Sequence, residues 1–167
     1  MKVRQARAED RGAILAIYAA ARRYMKRSGN PTQWGDHAPE EALIDSDLAR
    51  GCNYVVVDGQ DRPHGVFALI AGEDPTYRVI EGGGWLDDAP YSTLHRVASD
   101  GSAHGVFAAC LDFCAARCGN LRIDTHPDNR TMRHLIEKHG FVRCGIIHVA
   151  DGSPRIAYQR RARDGSV

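Results

Sequence analysis

The sequence predicts a mixed α+β fold built on a mostly antiparallel sheet that contains one parallel pair of strands. Two β-rich runs, residues 54–57 and 66–70, flank a polar loop, as in an antiparallel hairpin. Further along, a helical pattern at residues 102–118 separates two more strand-like runs, at 93–98 and 121–125. Because a helix that crosses between two strands of one sheet leaves them parallel, we expect these two runs to pair in parallel.

The first part of the chain predicts an edge strand followed by two helices. Residues 3–7 alternate as an edge strand does, and Asp10 then precedes a helical pattern that ends at Gly29. The second helix opens at residues 39–41, where acidic side chains suit the positive end of the helix dipole. The predicted apolar faces of the two helices are Ile14, Ile17, Tyr18, Ala21 and Met25, and Leu43, Ile44 and Leu48.

The remaining elements complete the predicted order, which is β, two helices, a β meander, βαβ, then αβ and a last strand. Residues 73–90 are irregular and contain aromatic residues, and ordered loops of this length in small domains are more often functional than decorative. The other predicted elements are strand 93–98, helix 102–118, strand 121–125, helix 129–138 and strands near 142–149 and 155–159.

The size and charge of the chain restrict its class. Its 167 residues predict a single domain, residues 1–160, with a frayed tail at 161–167. The 22 Lys and Arg against 21 Asp and Glu give a net charge of +1, which gives no reason to expect nucleic acid or an anionic membrane as a partner. No apolar run approaches the roughly 18 residues that span a bilayer, so we expect a cytoplasmic protein.

Five cysteines, an odd number, argue against a disulfide framework. Cys110, Cys114 and Cys118 stand four apart on one predicted helix, a pattern that suggests metal or redox chemistry. The same spacing places small apolar side chains on the buried face, since free cysteine packs as a small hydrophobe. Because zinc sites usually draw close pairs of ligands from loops, we favour the core interpretation and expect no metal.

The polar loop at residues 100–105 leads directly into a helix. The N-terminus of a helix presents unpaired backbone N–H groups and the positive end of the helix dipole, and both suit an anion such as a diphosphate. We therefore expect a phosphorylated cofactor at this loop.

Two motifs give a family resemblance. The first is residues 102–107, SAHGVF, and the second is residues 129–141, NRTMRHLIEKHGF. They resemble the cofactor loop R/Q-x-x-G-x-G/A and the segment N-x-x-A-x-x-L-Y-E-K-x-G-F of the GNAT superfamily of acyl-CoA-dependent N-acyltransferases. Gly105 matches the central glycine of the loop, whereas Ser102 and Phe107 depart from the pattern.

Residues 29–34, 94–99 and 122–126 also resemble a bacterial GNAT subgroup whose substrate is unassigned. The resemblance implies the GNAT fold, a twisted and mostly antiparallel sheet of six or seven strands with one parallel splayed pair, flanked by about four helices. It also implies an N-acetyltransferase with acetyl-CoA as the acyl donor, in which the acceptor attacks the thioester of acetyl-CoA directly in a ternary complex.

The resemblance further implies which residues bind the cofactor. The backbone of Val97 and Ala98 would hydrogen-bond the pantetheine arm, and backbone N–H groups of the following loop would hold the diphosphate. Asn129 would contact the cofactor arm, although a role as helix N-cap is an equally good interpretation. The complete expected set is Val97, Ala98, Ser102, Ala103, His104, Gly105, Val106, Phe107 and Asn129.

Acyl transfer to an amine benefits from a base, because deprotonating an amine of pKa near 10.4 at pH 7 costs on the order of 4 to 5 kcal/mol. His95 is the leading candidate, since it lies on the strand that should splay from its neighbour around the thioester. His126, at the end of the neighbouring strand, could share or replace that role, with Asp124 two residues earlier on the same strand face. For either histidine, a hydrogen-bonded structural role is the alternative.

The source of the proton for the departing thiolate is open. The family often donates it from the Tyr of L-Y-E-K, a position that is Ile136 in this chain. Tyr91, Cys144 or His134 could replace it, and so could solvent, because a thiol of pKa near 8.5 is a tolerable leaving group.

The acceptor is expected to be a primary amine of a small molecule or a protein, and the last strands could support a homodimer. A catalytically inactive CoA-binding protein is the alternative, which the departures from the family motifs admit. The acceptor pocket is expected to have aromatic walls that could equally fill the core, namely Tyr24, Trp34, Tyr77 and Trp85.

Overall fold

The computed structural model describes residues 1–161 and confirms the predicted fold class. Its seven strands form one sheet in the order β1-β2-β3-β4-β5-β7-β6, in which β4 and β5 pair in parallel. The α-helices within the described residues are α1 (Arg11–Arg27), α2 (Glu41–Ala49), α3 (Val106–Ala115) and α4 (Arg130–Lys138). The strands are β1 (Lys2–Gln5), β2 (Asn53–Val57), β3 (Pro63–Ala71), β4 (Ser92–Ser99), β5 (Asn120–Thr125), β6 (Val142–His148) and β7 (Pro154–Arg161).

The chain forms two compact units, and β4 contributes to both of them. Within the described residues, the first consists of Met1–Leu69 and His95–Phe113, and the second of Ile70–Leu94 and residues 114–161. The prediction of a single domain over residues 1–160 remains a prediction. Arg161, predicted to begin the frayed tail, is the last residue of β7, and residues 162–167 lie outside the described part of the chain.

The first unit is built on the antiparallel strands β1, β2 and β3, over which α1 packs. The buried side chains of α1 are Ile14, Ile17, Tyr18, Ala21 and Met25, which confirms the predicted face.

The prediction for α2 was wrong at Leu43, which is 40% exposed. Positions 44, 47 and 48 share one face of the helix by their spacing of three and four, and position 43 falls beside it. Asp47 is the buried polar residue of this face, and its carboxylate pairs with Arg96 at 2.6 Å.

The backbone of β4 has a local distortion at Arg96. This residue has a φ of 54°, which residues other than glycine rarely adopt. Two contacts hold it in place, because the Arg96 Nε donates to Asp47 at 2.9 Å and the Tyr18 hydroxyl donates to the Arg96 carbonyl at 3.1 Å. The contacts fix the strand immediately before Val97 and Ala98.

The second unit places β5 between the start of β4 and β7. The parallel ladder consists of the pairs Ser92–Leu121 and Thr93–Arg122, and β5 pairs with β7 along its whole length. The irregular segment at residues 73–91 packs on this part of the sheet, where the side chain of Tyr77 is buried together with Ile147.

Helix α3 begins at Val106, four residues later than predicted, and ends at Ala115 instead of Cys118. The early part cannot be helical because Gly105 adopts a left-handed φ of 78°. Cys110 and Cys114 are 0% exposed, which confirms the predicted core role for these two, whereas Cys118 lies beyond the end of α3 and is only half-buried. Burial raises the pKa of the Cys114 thiol to about 12.

None of the helices within residues 1–161 has both the length and the apolar character that crossing a bilayer requires. Within the same residues, no three His, Cys, Asp or Glu side chains are grouped closely enough to hold a metal ion.

Candidate active site

The first unit contains a loop whose geometry suits an anion. Gly101 and Gly105 both have a φ of 78°, and the first hydrogen bond of α3 runs from the Ala109 N–H to the Gly105 carbonyl at 3.0 Å. The amides immediately before Ala109 therefore lie at the positive end of the helix. A Cβ built on Gly105 meets no atom within 4 Å, so this face of the loop is open.

The loop does not offer all the donors that the sequence predicted. The Ser102 N–H and its hydroxyl both donate to the Asp100 carboxylate, at 2.9 and 2.7 Å. Partial burial raises the pKa of Asp100, but these bonds outweigh it and the pKa lies below its usual value. The amides of the predicted set that follow Ser102 are those of Ala103, His104 and Gly105 and that of Val106, the first residue of α3.

Phe107, a departure from the family motif, does not obstruct the loop. Its side chain is 6% exposed and lies in the core, as does that of Val106. The bulky residue therefore leaves the open face of the loop at Gly105 unchanged.

A groove of about 450 Å³ adjoins the loop in the same unit. Its walls come from the loop, the exposed side of α3 and β1, and it therefore has room for part of a ligand that begins at the loop. The residues that line it are Met1, Val3, His104, Gly105, Ala108, Ala109, Asp112 and Phe113.

His95 lies in the first unit, and the other two candidate catalytic residues, Asp124 and His126, lie together on β5 and just after it in the second. The His95 side chain is half-buried and sits one residue before the distortion at Arg96. Its position on β4 is therefore fixed by the contacts of the next residue.

The ring of His126 has a defined hydrogen-bonding pattern. The Asp128 N–H donates to the Nδ1 of His126 at 3.1 Å. Burial, together with the charge of Arg155, lowers the pKa of His126, so the ring is neutral near pH 7. Because Nδ1 accepts a hydrogen bond, the proton of the neutral ring is on Nε2. In this arrangement His126 is a hydrogen-bond donor through Nε2 and does not offer a basic nitrogen there.

Asp124 accepts a hydrogen bond from the hydroxyl of Tyr77 at 2.7 Å. Burial is the main reason that the pKa of Tyr77 lies well above its usual value, and the neighbouring Asp124 charge raises it further. The phenol therefore stays protonated and orients the carboxylate.

The sequence reasoning missed Arg122, which is 5% exposed and lies on the same face of β5 as Asp124. Its guanidinium lies between the rings of Trp85 and Tyr91, at 4.0 and 3.9 Å from their centroids, and donates to the carbonyl of Asp87 at 2.9 Å. These contacts fix the irregular segment against β5. An alternation of polar residues along a buried strand was the signal that could have found it.

The aromatic residues expected to line an acceptor pocket fall into two groups. In the second unit, Tyr77 is buried, and Trp85 donates to its carbonyl at 2.9 Å, so both belong to the packing around Arg122. In the first unit, Trp34 packs edge-on against the buried Tyr18 with ring centroids 5.6 Å apart, whereas Tyr24 is 48% exposed on α1.

Comparison with known families decides the assignment. A family model described as "Acetyltransferase (GNAT) domain" matches residues 1–142. The chain belongs to the GNAT acetyltransferase family. This membership assigns acyl-CoA-dependent acetyl transfer to it in general terms, and GNAT enzymes use an acceptor substrate together with the acyl donor.

Solved structures of GNAT proteins share the fold. A GNAT acetyltransferase from Streptococcus agalactiae is 27% identical with a TM-score of 0.86, and the match covers 98% of this chain and 96% of that chain. One from Listeria monocytogenes is 21% identical with a TM-score of 0.70, covering 95% and 93%.

A phosphinothricin acetyltransferase from Sinorhizobium meliloti, solved in complex with AcCoA, is 17% identical with a TM-score of 0.63, covering 99% and 90%. A search of curated protein sequences found no significant match.

Several residues that the sequence suggested as the acid or as a cofactor contact, and the residue at the family tyrosine position, are buried or form structural hydrogen bonds. Ile136, at the position of the family tyrosine, is 0% exposed. The Tyr91 hydroxyl accepts a hydrogen bond from the Asp74 N–H at 2.9 Å, and burial raises the pKa of the Cys144 thiol. Asn129 caps α4 by accepting a hydrogen bond from the Met132 N–H at 3.1 Å, which is the alternative role that the sequence offered.

Proposed function

We propose that this chain transfers an acetyl group from acetyl-CoA to a primary amine of a small molecule or a protein, by direct attack in a ternary complex. The observation that carries the proposal is the loop before α3, where Gly105 adopts a left-handed conformation and keeps its exposed face open at the positive end of the helix.

The residues of the first unit fit the donor. The amides from Ala103 to Val106 would hold the diphosphate, and the backbone of Val97 and Ala98, placed by the contacts of Arg96, would pair with the pantetheine arm. Bound acetyl-CoA supplies an activated acetyl thioester, which an amine attacks more readily than a free acid.

His95 is the proposed base that takes a proton from the attacking amine. A neutral imidazole accepts a proton near pH 7 without large adjustment, and the fixed backbone at Arg96 limits the positions that His95 can take on β4. In the second unit, His126 is proposed as a hydrogen-bond donor through Nε2, because its Nδ1 already accepts from the Asp128 N–H. The Tyr77 hydroxyl keeps the carboxylate of Asp124 oriented on β5.

An inactive CoA-binding protein is the second candidate, and one observation favours it. Ile136 replaces the tyrosine that often serves the family as the acid, and its side chain is completely buried. On the first proposal, solvent protonates the departing thiolate, which a thiol of pKa near 8.5 permits.

Calorimetric titration with acetyl-CoA, followed by an assay of amine-dependent CoA release, separates these candidates. The enzyme requires both binding and release over a panel of small amines and peptides, whereas the inactive protein binds without release. A folded protein that does not bind acetyl-CoA would contradict both.

The role of His95 is tested by comparing His95→Ala with His148→Ala, which changes an exposed histidine on β6. We expect His95→Ala to lower kcat by about 100-fold or more, the usual contribution of a general base, while acetyl-CoA affinity stays the same. The control should match the wild type in both. An unchanged kcat in His95→Ala removes His95 from the mechanism.

A further inference from the structure

His64 on β3, which has no part in the proposed acetyl transfer, contacts the loop that we propose to bind the diphosphate. Its Nδ1 lies 2.8 Å from the Ser102 hydroxyl and 3.3 Å from the Asp100 carboxylate. On the opposite side of the ring, Nε2 lies 3.2 Å from the carboxylate of Asp58 in the turn between β2 and β3. The His64 carbonyl also accepts a hydrogen bond from the Asp100 N–H at 3.1 Å. His64 therefore joins this turn to the loop.

Both carboxylates that face the ring are ionised near neutral pH. Backbone and side-chain hydrogen bonds from Arg62 hold the pKa of Asp58 well below its usual value, and Arg62 pairs with this carboxylate at 2.7 Å. The pKa of Asp100 is lowered as described above. A neutral imidazole donates from one ring nitrogen only, so it would direct a lone pair at one of the two carboxylates. The imidazolium donates from both nitrogens and satisfies both.

The charge matters because Asp100 lies in the loop itself. A carboxylate near a diphosphate opposes its binding unless a positive charge lies close by. Of the two residues that the family often has at the position of Ser102, Arg would bring such a charge and Gln would not, and serine brings none. Within the network that surrounds Asp100 in the first unit, His64 is the group that can supply it.

We propose that His64 is a charge-compensating and positioning residue for CoA binding, whose imidazolium holds Asp100 and Ser102 in place and offsets the Asp100 charge beside the diphosphate. This inference rests on the proposed function. It concerns a residue outside both family motifs, and it assigns to β3 a part in binding the donor.

Calorimetric titration of CoA against the wild type and four variants tests the proposal. The variants are His64→Gln, Asp100→Asn and the double variant, with His37→Gln as a matched change of an exposed histidine in the same unit. We expect His64→Gln to weaken CoA binding about five- to tenfold, since glutamine keeps a polar contact but carries no charge. Asp100→Asn should bind at least as tightly as the wild type, because asparagine can still accept from the Ser102 N–H.

The double variant distinguishes charge compensation from a purely structural role. If His64 offsets the Asp100 charge, Asp100→Asn restores the double variant to within about twofold of the wild type. If His64 only holds the loop, the double variant binds as weakly as His64→Gln or more weakly, and the proposal is overturned. The loss in His64→Gln should persist with 3′-dephospho-CoA, which keeps the diphosphate, and a loss confined to CoA would also overturn it.

Other outcomes are equally decisive. Wild-type protein that is folded but does not bind CoA overturns the proposed function and this inference with it, whereas equal binding by the wild type and His64→Gln overturns the inference alone. If His64→Gln does not fold, Asp100→Asn still decides, because weaker CoA binding by this variant contradicts the proposal.

Discussion

Replacing Gly105 by alanine separates the cost of backbone strain from the cost to the ligand. Gly105 and Gly101 have the same φ of 78°, and a Cβ on either one meets no atom within 4 Å. Strain in the left-handed region is therefore the whole structural cost of each substitution, about 1 to 2 kcal/mol. For a protein of this size that corresponds to a fall in Tm of about 2 to 8 °C.

The effect on the ligand should differ between the two variants. A methyl group on Gly105 projects into the open face of the loop at the start of α3, where we propose that the amides meet the diphosphate. Gly101 precedes the Ser102 amide, which is already bonded to Asp100. We expect Gly105→Ala to lose at least about tenfold in CoA affinity, or about 1.4 kcal/mol, while Gly101→Ala binds nearly as the wild type does.

Thermal unfolding followed by circular dichroism and calorimetric titration with CoA together provide the check. Equal losses in Tm with a selective loss of CoA affinity in Gly105→Ala support the placement of the diphosphate. Equal CoA affinity in the two variants would refute it, because the added methyl group would then lie away from the ligand.

Two further predictions concern stability. Tyr77→Phe removes the 2.7 Å hydrogen bond to the Asp124 carboxylate and should lower the free energy of unfolding by about 1.5 to 3 kcal/mol, measured by urea unfolding; an unchanged value would show that Asp124 finds another donor. Asp10 accepts two hydrogen bonds from Arg4, which is the main reason that its pKa lies below the usual 3.8. The stabilisation by Asp10 is therefore present above pH 3.8 and is lost as the pH falls through the lower folded value. Asp10→Asn should be less stable than the wild type at pH 7, and urea titrations should show the difference shrinking below about pH 4; a constant difference would contradict the ion-pair explanation.

Local patterns in the sequence were sufficient for most of the fold. The buried face of α1 follows from spacings of three and four, and the parallel pairing of β4 with β5 follows from the helix between them. The start of α3 was placed too early, because the pattern of apolar residues does not show that Gly105 takes a left-handed conformation. Leu43 was misplaced for a different reason, since a buried Asp47 looks like a surface residue until its partner Arg96, far along the chain, is known.

The contacts around β5 show which part of a site a single sequence does not reveal. Asn120, Arg122 and Asp124 alternate with apolar residues along β5; Asn120 and Arg122 are buried and Asp124 is half-buried, so each of them needs a polar or aromatic partner. Those partners come from the irregular segment at residues 73–91, which has no period of its own that would predict its path. The polar residues of β5 and the side chains of residues 73–91 are each visible in the sequence, but only the fold shows that they contact each other. The sequence therefore suggested that Tyr77 and Trp85 line a pocket. In the structure, Tyr77 donates a hydrogen bond to Asp124, and the ring of Trp85 packs against the guanidinium of Arg122.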